Sequence, residues 1–162
     1  MRRSKFESFV GVLTLFIAML FAFTATVQVS NAQSEAEMRD QLCADMEREV
    51  TLPKKRRGGG HVRVDCLSRD YAIEIDRTQK WYEALGQAVY YSHLTGREPG
   101  IILVCYTAER LCLEHALRLE ETLSYLKVRG TIWQCPQTAH NREADCLKKE
   151  VRIPLLEAHP IR

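Results

Sequence analysis

Two runs of strict alternation, separated by three polar residues and followed at once by a helical repeat, constrain this chain more than anything else in it. They occupy residues 63–91, RVDCLSRDYAIEIDRTQKWYEALGQAVYY, and a few residues before. In 61–67, Val62, Val64 and Cys66 alternate with Arg63, Asp65 and Leu67, the period of two of a strand. In 71–77, Ala72, Glu74 and Asp76 share one face, while Tyr71, Ile73, Ile75 and Arg77 share the other. Ser68, Arg69 and Asp70 make a break of hairpin length between the two runs. Residues 78–94 then read as a helix, with Trp81, Leu85, Ala88, Val89 and Ser92 on one stripe and Thr78 as the cap. If the two strands pair, Asp65 and Glu74 converge at one end of a small sheet. Two carboxylates in a partly dry site repel each other, and a divalent cation with oxygen ligands, usually magnesium, is the commonest remedy.

The remaining elements supply layers around that hairpin. Residues 34–50 read as a first helix, because Met38, Leu42, Met46 and Val50 recur every four positions with Cys43 beside them. After a loop at 95–100, residues 101–106 form the continuous apolar run of a buried strand. A further helix is expected at 109–127 and a short last strand at 131–135. The tail is polar, with a helical segment at 145–152, and Pro154 and Pro160 prevent a regular finish. This order predicts an α/β fold, a mixed central sheet of four or more strands flanked by helices. The crossover through 78–94 makes the strand at 101–106 parallel to the one carrying Glu74.

Residues 1–32 read as an address. Arg2, Arg3 and Lys5 precede an apolar run from Phe9, and Ser30-Asn31-Ala32 offers small residues before a cut, the layout of a secretory signal peptide. An uncleaved membrane anchor is the alternative. Either way, a single domain at 33–162 is carried out of the cytoplasm, to a periplasmic or extracellular space. The chain has 23 basic and 21 acidic residues, and removing Arg2, Arg3, Lys5 and Glu7 leaves 20 of each. A domain without net positive charge has no general grip on nucleic acid, so any phosphate binding must come from a local patch. Lys54-Lys55-Arg56-Arg57, followed by three glycines, is such a patch. It reads as a solvated loop, as a reach toward a polyanion such as nucleic acid, or as a contact with anionic lipid.

Six cysteines in an exported chain point to disulfides, with 15 possible full pairings. Cys135 to Cys146 is the preferred bridge, whereas Cys66 and Cys105 read equally as buried free thiols on neighbouring strands.

The order Glu74-Ile75-Asp76, Lys80-Trp81, Glu83-Ala84-Leu85-Gly86-Gln87, with Tyr91 four residues after Gln87, resembles a branch of the PD-(D/E)xK phosphodiesterase superfamily whose lysine has migrated to the following helix. The likeness covers roughly residues 49–104, and Asp76 stands where the usual signature has lysine. The resemblance implies a restriction-endonuclease-like core and metal-dependent phosphodiester hydrolysis with magnesium or manganese. It implies that Asp65 and Glu74 hold the metal with the carbonyl of Ile75, that Lys80 orients the attacking water, and that Gln87 and Tyr91 hold the scaffold or the substrate strand. It further implies a glutamate on the first helix that reaches the metal, which Glu49 would supply, with Glu47 equally available. On residue type alone, Glu49 and Lys80 read equally as solvated surface charges, and Gln87 and Tyr91 as helix-to-sheet contacts. The competing functional reading is a binding or structural module that kept the nuclease fold and lost its chemistry.

Overall fold

The computed structural model describes residues 33–54, 59–106 and 109–153. The expected leader, most of the basic run and the two late prolines lie outside them. The chain runs α1 (Glu35–Leu42), β1 (Glu47–Pro53), β2 (His61–Leu67), β3 (Tyr71–Arg77), a 3-10 turn (Thr78–Lys80), α2 (Trp81–Thr95) and β4 (Glu98–Cys105). It continues through α3 (Glu109–Tyr125), β5 (Gly130–Pro136), α4 (Arg142–Asp145) and β6 (Leu147–Val151). The six strands form one mixed sheet in sequence order. β1, β2 and β3 are an antiparallel meander, β3, β4 and β5 are parallel, and β6 returns antiparallel to β5. The expected parallel pairing of β3 with β4 is present, Glu74 lying opposite Ile101 and Asp76 opposite Leu103.

Burial follows the pleat. Ile102 and Val104 face one side of β4, where they join Ile73, Ile75, Trp133 and Cys135 beneath Met38 and Leu42 of α1. Ile101 and Leu103 face the other side and meet Ala84, Leu85 and Ala88 of α2 and Leu119 and Leu123 of α3. Helices cover both faces of β4, which is why its sequence is apolar throughout rather than alternating.

Several boundaries differ from the sequence expectation, and β4 already begins at Glu98, inside the expected loop at 95–100. The first helix does not reach residue 50. Ser34 and Glu37 cap its start reciprocally, and Cys43 ends it by donating its N–H to the carbonyl of Arg39. Residues Glu47–Pro53 pair with β2 instead, and the half-burial of Val50 and Leu52 shows a period of two beneath the apparent period of four. Likewise the tail is not helical at 145–152. Leu147–Val151 is a short, charged edge strand, a form that discourages further pairing. Thr78 does not cap α2, since its Oγ1 lies 3.0 Å from Nδ1 of His115 on α3.

All six cysteines are paired. Cys135 bridges Cys146 as expected, whereas Cys66 joins Cys43 and Cys105 joins Cys112, so neither is a free thiol. Three disulfides suit an oxidising compartment. Among the described residues no helix is long and apolar enough to cross a membrane.

Gly100 is closely packed within the sheet, where an added Cβ would stand 2.6 Å from Ile73 Cγ1 and 3.1 Å from Trp133 Cζ3. Gly100→Ala is therefore expected to destabilise the protein by about 2 kcal/mol through overpacking. Urea unfolding with the disulfides intact would show this as a lower midpoint at unchanged slope.

Candidate functional site

The site begins where the sheet splits. β2 and β3 pair only through Cys66 with Ile73 and Leu67 with Ala72. One residue further on, Asp65 Oδ2 accepts the N–H of Ile75 at 3.0 Å, so a side chain takes a backbone donor. The alternation of β2 breaks at the same place. Val62 and Val64 pack with Leu67, Ala72 and Tyr91, while Cys66 belongs to the opposite core. The expectation that Val62, Val64 and Cys66 share a face therefore fails at Asp65.

The split leaves a cavity of about 440 Å³. Arg63 and Asp65 enter it from β2, and Glu74, Ile75 and Asp76 from β3. Lys80, Glu83, Gln87 and Tyr91 close one side from the helical turn and α2, and Glu35 and Arg39 close the other from α1.

Its electrostatics are those of crowded acids. Glu74 is only 7% exposed, and its Oε2 is buried without a hydrogen-bond partner. Burial first, then the neighbouring Asp65 and Asp76, push its carboxyl up to about 9. Burial also raises Asp65 and Asp76. The Ile75 N–H and Arg39 oppose the rise at Asp65, and the Arg77 N–H and Lys80 oppose it at Asp76. Lys80 Nζ lies 3.8 Å from Asp76 Oδ1 and 3.9 Å from Glu83 Oε2, rather than leaning over Glu74. The Tyr91 hydroxyl donates to Gln87 Oε1 at 2.9 Å, and burial beside Glu74 raises its pKa as well.

The structure thus brings together Asp65, Glu74, Ile75, Lys80, Gln87 and Tyr91. It does not bring Glu49 with them. Glu49 sits on β1, not on the first helix, and its carboxylate lies 2.8 Å from Arg39 Nη2 and 3.5 Å from Arg63 Nη1. Besides Arg63 of β2, sequence reasoning assigned no functional part to two further charged residues that line the cavity, Glu35 and Arg39 of α1. Their four-residue spacing beside the Met38 and Leu42 stripe puts them on one flank of α1, a signal that was present but had no partner to point at.

Among the described residues no three His, Cys, Asp or Glu side chains are gathered to hold a metal ion. Asp65 and Glu74, the two acids that the resemblance singles out, line the cavity together with Asp76 and Ile75, and their carboxylates are oxygen donors. Comparison of the chain with protein families, curated proteins and solved structures finds no match.

The raised Glu74 carboxyl has a pH signature. Its folded pKa lies above its unfolded value of 4.5, so the folded state holds the extra proton between those limits. Stability therefore falls as pH rises from about 4.5 to about 9. Glu74→Gln, neutral throughout, is expected to flatten that decline and to exceed the parent by more than about 1 kcal/mol at pH 9. Chemical unfolding at several pH values in the presence of a chelator checks it.

Proposed function

We propose that this protein is an exported, metal-dependent phosphodiester hydrolase of the PD-(D/E)xK kind, acting in a periplasmic or extracellular space. One observation carries the reading. Acids from adjacent strands, Asp65 on β2 and Glu74 on β3, meet at one cavity, and a buried Glu74 oxygen there has no partner in the protein. An orphaned oxygen beside a second carboxylate fits a hard cation, magnesium or manganese, in donor chemistry. Asp65, Glu74 and the Ile75 carbonyl would hold it. When bound, such a cation lowers the pKa of water and offsets charge developing on a phosphoryl oxygen.

The chain's own groups do the rest. Asp65 is oriented by the Ile75 N–H through one oxygen, and its other oxygen lies 3.8 Å from Arg39 Nη1 at the cavity. Lys80, half-exposed at the cavity, orients the attacking water and can exchange its contacts with Asp76 and Glu83 for one to the substrate. The Tyr91–Gln87 pair closes the inner wall. Arg63, exposed at the cavity on the strand that leads back to the basic β1–β2 loop, gives a nucleic-acid strand a local cationic path.

A second reading has its own observation. Lys80 is shared between two acids, and Arg39 stands 3.8 Å from Asp65, so the cavity supplies counter-charges of its own. On that reading the protein is a nuclease-fold binding or structural module of the cell envelope without catalysis.

The test uses protein purified from an oxidising compartment and incubated with single- and double-stranded DNA and RNA in magnesium or manganese. Cleavage that needs metal and disappears in Asp65→Ala/Glu74→Ala is the expected outcome, with Lys80→Ala lowering turnover by about 100-fold. No cleavage, together with no rise in melting temperature with either metal, favours the module.

A further inference from the structure

Glu49 is out of place in an otherwise regular hairpin. Arg48 pairs with Cys66 and Val50 with Val64, a register that sets Glu49 across from Asp65. Yet Glu49 has φ of 52°, the left-handed region that residues with side chains avoid. Such a conformation persists where the surroundings over-determine it. Here the surroundings are two guanidinium groups, Arg39 at 2.8 Å and Arg63 at 3.5 Å.

Arg39 connects that distortion to the cavity. Its side chain is 15% exposed, with Nη2 against Glu49 and Nη1 3.8 Å from Asp65 Oδ1. Asp65 has its other oxygen on the Ile75 N–H, so the two contacts together fix the carboxylate plane. The helix that carries Arg39 is anchored to the same strand. Met38 and Leu42 are buried, and Cys43, which ends the helix, is bridged to Cys66, the residue after Asp65.

We propose that Glu49 and Arg39 are positioning residues for the cavity: Glu49 holds the Arg39 guanidinium, and Arg39 holds the Asp65 carboxylate in the orientation a divalent cation requires. The proposal rests on the reading of the cavity as a cation site. It gives Glu49 a role different from the direct one the sequence suggests. Partners that orient a ligand without touching the metal typically change its affinity by 10- to 100-fold.

The alternative is a brace that merely secures the edge strand, and one substitution separates the two. Glu49→Gly removes the carboxylate, while glycine suits the backbone at φ 52°. Mn²⁺ binding to the purified full protein is measured by calorimetry, and melting is measured in chelator, for the parent, Glu49→Gly, Arg39→Gln and Arg39→Lys. The expected result is affinity about tenfold weaker in Glu49→Gly and Arg39→Gln, with partial recovery in Arg39→Lys. Melting of Glu49→Gly should stay within about 2 °C of the parent. Parent-like affinity in Glu49→Gly, or a fall in its melting temperature well beyond that range, overturns the proposal while leaving the cation site standing. A parent that binds no Mn²⁺ overturns the proposal and the hydrolase reading together.

Discussion

Everything distinctive about this fold follows from one substitution of bonding partners, the Asp65 carboxylate in place of a backbone carbonyl at the Ile75 N–H. A ladder that continued from Cys66–Ile73 would keep β2 against β3 and leave no room between them. With a side chain taking the donor, Ile75 N–H remains satisfied, as a buried amide must be, while the strands are free to separate. The separation exposes the inner edge of β3 to the space that Tyr91 and Lys80 border from the other side. A sheet defect that would ordinarily be a weakness thus becomes a polar cavity beside an apolar core.

A split sheet needs reinforcement, and the covalent links lie where it is needed. Cys43–Cys66 fastens α1 to β2 at the last paired residue before the split. Cys105–Cys112 fastens the end of β4 to α3, and Cys135–Cys146 fastens β5 to the segment that leads into β6. Cys43 and Cys66 are fully buried, and their bridge lies in the core beneath α1 with Ile73 and Ile75. It therefore supports the site from behind and does not cover it. At the far edge Arg142 adds a noncovalent clamp, bonding the Leu42 carbonyl and Asp45 while stacking over Trp133. It ties the end of α1 to α4.

The third strand, the helix after it and the parallel strand were legible from their own patterns, whereas the alternation read in β2 breaks at Asp65. Alternating Ile73 and Ile75 against Glu74 and Asp76 sets β3, and the unbroken Ile101 to Val104 run sets β4. What was not legible is where a period is ambiguous or where a contact is remote. Val50 fits a spacing of four from Met46 and equally a spacing of two from Leu52, and only the pairing with Val64 decides. Leu147, Lys149 and Val151 alternate, but over five residues a strand and a helical turn look alike, and the decision comes from pairing with β5. Asp65, Glu74 and Asp76 stood out in the sequence because they interrupt runs of apolar residues, whereas Glu35 sits in a polar stretch. Arg39 did not stand out, because its meaning depends on a strand distortion at Glu49 that no propensity announces.

The departure of Asp76 from the lysine of the resembling signature has a physical consequence in the cavity's charge. Asp76 is buried beside Glu74, so a cation must be near it, and Lys80, four residues on, is the one at hand. Counted together, the acids Glu35, Asp65, Glu74, Asp76 and Glu83 face Arg39, Arg63 and Lys80. The surplus is two negative charges, or one while Glu74 keeps its proton. A phosphodiester brought to that mouth meets repulsion. On the proposed reading, Asp65 and Glu74 would hold a divalent cation as carboxylates, and its charge would offset the surplus. Affinity for an anionic strand and affinity for metal should then be coupled through the same two acids.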